Sequence, residues 1–244
     1  MRGDILKKKL MVLCAVAIMI STCLTGCKMS SGKIRFGSAG IGGTYQIFGD
    51  TFANLISSKS KKYNIEVKTT AGSAANLRLL SKDYIQMAVA QMDLINDAYN
   101  RTGIFENDKK YQGYRAVASL YTEACQIVIP ADSDIQSVDD LEGKKVCIGE
   151  EESGTEQNAL QILNAYGLNE KLVDTVNLNY TDAAKKLKSG DIDAFFCTAG
   201  VQTTVINELS KQCKIRLVSL DQKGISRLKK SYKFYTEYTI PAGT

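Results

Sequence analysis

From residue 34 onward, short strand-like runs alternate with helix-like runs along the chain. KIRFGSA is followed by TYQIFGDTFANLISSK, whose apolar residues recur at helical spacing. The alternation continues with YNIEVKTT and SAANLRLLSK, and then with YIQMAVAQ and MDLINDAYN. Such an order is typical of an α/β protein with parallel sheets, because helices connect parallel strands. We therefore expect a first α/β lobe over residues 34–121.

A second alternating set follows a less regular stretch at residues 100–113, which we expect to be a surface loop. YRAVASLYTEACQIVIPA then predicts one long strand or two consecutive strands that bridge the lobes. KKVCIGEE and SGTEQNALQILNAYG restart the alternation, and further strand and helix runs complete it. The sequence therefore predicts a second α/β lobe over residues 122–220.

The N-terminal segment differs from the rest of the chain. Basic residues at positions 2–9 precede an apolar run at positions 10–20, and small and polar residues ending in LTGC follow. This order is typical of a secretory signal, and the apolar run is too short for an ordinary membrane-spanning helix. LTGC resembles the lipobox of bacterial lipoproteins, which implies a signal peptide over residues 1–26, lipid attachment at Cys27 and a tether over 27–33. We expect an extracytoplasmic protein, lipid-anchored to the cell membrane, with a plain membrane anchor as the alternative.

Charge and composition argue against several functions. The net charge of the full chain is +5, but the signal contains four basic residues and one acidic residue, so about +2 remains without it. No long Lys/Arg run or RNA-binding aromatic motif follows, so we expect no nucleic-acid partner. The chain has no histidine and no C-x-x-C spacing, so we expect no metal and no cofactor. We interpret the cysteines beyond the lipobox as free thiols, with disulfides as the alternative; they are Cys125, Cys147, Cys197 and Cys213.

The stretch GSAGIGGTYQ, residues 37–46, carries four glycines between a strand-like run and a helix-like run. A Walker-type phosphate loop requires lysine where Thr44 follows Gly43, and the G-x-G-x-x-G spacing of dinucleotide-binding loops is absent. Glycines nevertheless let backbone approach a ligand closely, and N–H groups at a helix N-terminus bind anions. The structural alternative is that Thr44 simply caps the following helix.

A second loop repeats this design. Gly43-Thr44-Tyr45-Gln46 has a counterpart in Gly154-Thr155-Glu156-Gln157, and TTAGSAANLRLL opens a third helix at Gly72-Ser73. Open α/β sheets bind ligands at the carboxyl ends of their strands. We expect these loops to face each other across a cleft that suits a small organic anion. Glu150–Glu152 would repel an anion, so if one of them points into the cleft, the ligand carries an amino group.

Seven ordered segments resemble the TAXI family, the solute receptors of TRAP transporters. They are GSAGIGGTYQIFGDTFANLI, TTAGSAANLRLL, AVAQMDLINDAY, YRAVASLYTEACQIVI, LEGKKVCIGEEESGTEQNALQIL, LKSGDIDAFFCTAG and YTIPAGT. The resemblance implies a periplasmic-binding-protein-like (type II) α/β fold, with two lobes joined by crossing hinge strands. It also implies capture of a small carboxylate, glutamate-like or a dicarboxylate, and its delivery to the membrane permease subunits of a TRAP transporter.

The resemblance implies ligand-binding residues on both lobes and near the hinge. In chain order these are Gly42, Gly43, Thr44, Tyr45, Gly72, Ser73, Asn76, Gln91, Tyr121, Glu123, Ser153, Gly154, Thr155, Thr198 and Gly200. Arg78 could clamp a carboxylate, but a solvated side chain or an ion pair within the lobe is the alternative.

YTIPAGT is internal in the family. We therefore expect residues 221–244 to begin the return to the first lobe, and the C-terminal part of the family fold to be missing. Within binding proteins, the alternative is a receptor of an ABC-type importer. We do not expect an enzyme, because the run containing Asp191 and Asp193 is typical of a turn entering a buried strand.

Overall fold

The computed structural model of the protein describes residues 33–243. The predicted signal peptide, the lipid-attachment residue Cys27 and all but the last residue of the tether lie outside the described residues. Within residues 33–243, the helices are all too short or too polar to cross a membrane.

The first lobe is a three-stranded parallel sheet with three helices. In chain order its elements are β1 (Lys33–Gly37), α1 (Thr44–Lys59), β2 (Asn64–Lys68), α2 (Ser73–Ser81), β3 (Met87–Ala88) and α3 (Met92–Asn100). The strand order is β2-β1-β3, with Phe36 in register with Val67 on one side and Met87 on the other. Because the three strands are parallel, the loops that follow them lie at the same edge of the sheet, where the strands have their carboxyl ends.

Helix α1 packs closely on this sheet through its aromatic residues. Phe36 of β1 contacts Phe48 and Phe52, whose rings stack on each other with centroids 5.9 Å apart. Gly49 lies between them on the same helix, and a Cβ there would come within 3.0 Å of Val67. A glycine inside this helix therefore allows the close approach of helix and sheet.

The second lobe is a five-stranded mixed sheet with four helices. Its elements are β4 (Ala124–Pro130), β5 (Lys145–Cys147), α4 (Gly154–Ala165), β6 (Asp174–Val176), α5 (Tyr180–Ser189), β7 (Ala194–Ala199), α6 (Thr204–Gln212), β8 (Ile215–Leu217) and α7 (Gln222–Ser231). The strand order is β6-β5-β7-β4-β8, and β4 runs antiparallel to both of its neighbours. The predicted α/β class with two lobes is confirmed.

Strand β7 lies at the centre of the second lobe, and all six of its residues are buried. Phe196 packs with Ile127 and Ile162 on one face of the sheet, whereas Phe195 belongs to a separate core on the other face with Val128 and neighbouring residues. Successive side chains of a strand point to opposite faces, so one apolar run serves two cores.

The bridge between the lobes differs from the prediction. Residues 109–123 form neither helix nor strand, and β4 begins only at Ala124, where it pairs with Ala199 of β7. Val117 in this segment is 85% exposed. The residues have strand propensity, but a strand also requires a hydrogen-bonding partner, and β4 finds one only from Ala124 onward.

The C-terminal segment also differs from the expected return to the first lobe. Leu228 of α7 is buried in the second-lobe core that contains Ile162, and Tyr232 and Tyr235 pack against the same core. The Tyr235 hydroxyl donates to Gln161 Oε1 on α4 at 2.6 Å. Residues 222–235 thus pack on the second lobe, because their apolar side chains cover α4.

Candidate functional site

A cleft lies between the two lobes, where the N-termini of five helices converge. These helices are α1, α2 and α3 of the first lobe and α4 and α5 of the second. The empty space in the cleft, open solvent included, is about 460 Å³. Its lining consists of Ala39, Gly40, Gly43, Thr44, Tyr45, Ala71, Gly72, Ser73, Gln91, Tyr121, Glu123, Glu150, Ser153, Gly154, Thr155, Leu178, Asn179, Tyr180, Thr198 and Ala199.

Most of the residues predicted to bind ligand lie on the wall of this cleft, and Gly42, Asn76 and Gly200 do not. Asn76 is fully buried inside the first lobe, where its side-chain amide donates to the carbonyls of Ser38 (2.7 Å) and Val89 (2.9 Å). Its Oδ1 accepts from Thr70 Oγ1 at 2.8 Å. These hydrogen bonds of Asn76 therefore hold the loops behind the cleft in place.

One part of the cleft was missed by sequence analysis. Asn179 and Tyr180 start α5, and the Asn179 side chain accepts from the backbone N–H of Asp182 at 2.9 Å. The Tyr180 hydroxyl lies 2.5 Å from Thr155 Oγ1 and donates to the Thr198 carbonyl at 2.9 Å. The signal was present, because β6 is followed by a loop and a helix, as are the strands before the other cleft loops, and asparagine is a preferred N-cap residue.

The loops before α1 and α4, which are similar in sequence, differ in how the helix N-terminus is capped. Ser153 is the N-cap of α4, and its Oγ accepts from the backbone N–H of Glu156 at 2.9 Å. The N-cap of α1 is Gly43, and no side chain caps this helix. Thr44 is the first residue of α1 rather than its cap, so the capping alternative for Thr44 is wrong.

The charged groups of the cleft wall are carboxylates. Glu123 and Glu150 line it, and none of the lining residues is lysine or arginine. Glu123 Oε2 accepts from the Tyr45 hydroxyl at 3.0 Å. Burial raises the pKa of Glu123 to about 7, although hydrogen bonds from Tyr45, Gln91 and Tyr121 partly oppose this. The electrostatics of the side chains thus favour a cation, while the helix N-termini favour an anion.

Two polar atoms of the cleft wall are buried without a partner among the described residues. They are Gln91 Oε1 and Thr198 Oγ1. The other end of the Gln91 amide donates across the lobes to Asn158 Oδ1 at 3.0 Å, which fixes its orientation. Buried polar atoms usually have a hydrogen-bonding partner, so these two atoms are exceptions among the described residues.

Gly154 of the second lobe lies directly against Gln91 of the first. A Cβ on Gly154 would overlap the Gln91 side-chain amide. This glycine therefore allows the two lobes to approach each other in the arrangement observed.

Arg78 does not line the cleft. It pairs with Asp108 of its own lobe at 2.9 Å and with Glu152 of the second lobe at 2.7 Å. The three consecutive glutamates before α4 therefore have different surroundings. Glu150 lines the cleft, Glu151 is exposed and Glu152 pairs with Arg78 of the first lobe.

The four cysteines of the described part of the chain are free. Cys147 and Cys197 are buried in the second-lobe core, and burial raises the pKa of both thiols. The interpretation of these residues as buried thiols fits their place on strands β5 and β7.

The sequence model of the NMT1-like family matches residues 36–244, which include both lobes. The chain belongs to the NMT1-like family.

Solved structures share the fold of this NMT1-like protein at low sequence identity. The alkanesulfonate-binding protein SsuA from Xanthomonas axonopodis pv. citri, bound to MOPS, has a TM-score of 0.52 and 17% identity, over 77% of this chain. The binding protein component of an ABC phosphonate transporter from Pseudomonas aeruginosa has a TM-score of 0.54 and 13% identity, over 87% of this chain and 76% of its own. A putative L-cystine ABC transporter from Listeria monocytogenes has a TM-score of 0.51 and 18% identity, over 77% of each chain.

These similarities establish the architecture. The NMT1-like chain has the two-lobed fold of type II periplasmic binding proteins. It spans 60% of the length of the alkanesulfonate-binding protein.

Proposed function

We propose that this NMT1-like protein is an extracytoplasmic solute-binding receptor, which captures a small carboxylate between its lobes and delivers it to a membrane permease. The observation that carries the proposal is the convergence of five helix N-termini on one cleft whose wall also holds Glu123 and Glu150. Backbone N–H groups at helix N-termini suit a carboxylate. We also propose that the two lobes span residues 34–121 and 122–220. A lipid attached to Cys27 would anchor the protein to the membrane.

Of the two ligand classes, a glutamate-like amino acid fits better than a dicarboxylate. The cleft offers helix N-termini to a carboxylate and two side-chain carboxylates to an ammonium group. A dicarboxylate has the same two carboxylates as glutamate but lacks the ammonium group that would offset the charge of Glu123 and Glu150 on the cleft wall.

The partner that we propose is a TRAP-type permease, because the seven ordered segments resemble the TAXI receptors. The alternative is an ABC-type importer, which the similarity in fold to the phosphonate and L-cystine ABC transporter proteins favours. The neighbouring genes distinguish the two: a fused TRAP permease supports the first, and an ATPase supports the second.

A thermal-shift panel of amino acids and dicarboxylic acids tests the proposal. A ligand that binds only the folded chain raises its Tm as its concentration increases. We expect this rise with L-glutamate or a related amino acid, and a recovered ligand that is chemically unchanged. If no member of the panel raises the Tm, a role as a surface lipoprotein without a small ligand replaces the proposal.

A further inference from the structure

An ion pair outside the cleft joins the two lobes. Arg78 on α2 of the first lobe places its Nη1 atom 2.7 Å from Glu152 Oε1, in the loop before α4 of the second lobe. Neither residue lines the cleft, so neither belongs to the ligand site described above.

Arg78 is held in position by its own lobe. Its Nε donates to Asp108 at 2.9 Å and its Nη2 donates to the Ile104 carbonyl at 3.1 Å. Its guanidinium carbon lies 5.0 Å from the centroid of the Phe105 ring. Because these contacts of Arg78 lie within the first lobe, lobe opening would leave them intact and would break the pair of Arg78 with Glu152.

Glu152 contacts the first lobe with its backbone as well as its side chain. Its carbonyl accepts from the N–H groups of Ala74 and Ala75, both at 3.2 Å, at the start of α2. Its φ of 63° is in the left-handed region, which is uncommon for a residue other than glycine. The Glu156 carboxylate accepts from the Glu152 N–H at 2.8 Å, which supports this conformation.

We propose that Arg78 and Glu152 form a latch that sets ligand affinity by stabilising the closed lobes, without contact to the ligand. The proposal rests on the proposed function, since a ligand bridging the lobes requires the closed form. The apparent affinity then scales with the fraction of molecules that are closed. Both residues are positioning residues. Their side chains are 25% and 45% exposed, so the effect of the ion pair is a few-fold change in affinity.

Glu152→Gln in the full chain tests the latch, because it removes the charge while leaving the backbone carbonyl and the first-lobe contacts of Arg78 in place. Glu151→Gln is the matched control, since it makes the same change at the adjacent, exposed position. Without ligand, amide hydrogen exchange of Ala74 and Ala75 is measured by NMR. We expect faster exchange at these two amides in Glu152→Gln than in Glu151→Gln, with exchange in the β7 strand unchanged.

Titration with L-glutamate gives the second measurement. We expect Glu152→Gln to weaken binding by roughly two- to fivefold relative to Glu151→Gln, and 0.5 M NaCl, roughly the range in which exposed charges are strongly screened, to reduce this difference. Equal affinities of the two variants, or equal exchange at Ala74 and Ala75, would overturn the latch. If L-glutamate does not bind the unmodified chain, the proposed ligand is wrong, and the exchange measurement alone decides the latch.

Discussion

Glu123 acquires its properties from its place between the lobes. Its carboxylate is bonded by the Tyr45 hydroxyl of α1, and the Tyr121 hydroxyl lies 3.4 Å away. Burial is the largest influence on it and raises its pKa to about 7, from an ordinary value of 4.5. Such a carboxylate is half protonated near neutral pH, so a charged ligand nearby can change its protonation state.

The raised pKa predicts how stability depends on pH. Because the folded state keeps a proton that the unfolded state releases, the stabilising contribution is complete below pH 4.5 and is lost as the pH rises through about 7. We expect Glu123→Gln to remove this contribution. The Tm of the unmodified chain should therefore fall, relative to that of the variant, between about pH 5 and pH 8, as followed by circular dichroism. Parallel Tm profiles would show that Glu123 keeps an ordinary pKa.

At the element scale, the loops before α1 and α4 allow the contribution of a side-chain cap to be compared. The Ser153 side chain caps α4, whereas the Thr44 side chain does not cap α1. Ser153→Ala should lower the free energy of unfolding by about 1 kcal/mol, the usual cost of a lost cap. Thr44→Ala should cost clearly less, and urea denaturation without ligand compares the two variants. Equal losses would mean that Thr44 also caps its helix.

The helices and their starting points could be predicted where they depend on residues that are neighbours in the sequence. The apolar spacing of TYQIFGDTFANLISSK predicts α1, and the loops at Gly43, Gly72 and Gly154 predict helix starts that meet in the cleft. The bridge was not predictable, because the strand expected from residue 114 onward requires a partner that local propensity does not reveal. Whether Asn76 points into the cleft or into the lobe likewise depends on how α2 packs.

At the scale of the whole molecule, the cleft combines contributions that are distant in the sequence. Gln91 and Asn158 join across the lobes, and Arg78 reaches Glu152 from 74 positions away. Such pairs carry no sequence signal, because each residue alone is compatible with a solvated surface. The repeated strand, loop and helix pattern was sufficient to predict a cleft with opposing helix N-termini, but not the contacts that close it.

The most direct test of the account is calorimetric titration of the full chain with L-glutamate and with glutarate. Glutarate has the same carbon chain and both carboxylates but lacks the amino group. The proposed function predicts saturable binding of L-glutamate with one site per chain, and weaker binding of glutarate, because glutarate has no amino group to offset the carboxylates of Glu123 and Glu150 on the cleft wall. No saturable heat from either compound, or tighter binding of glutarate, would contradict it.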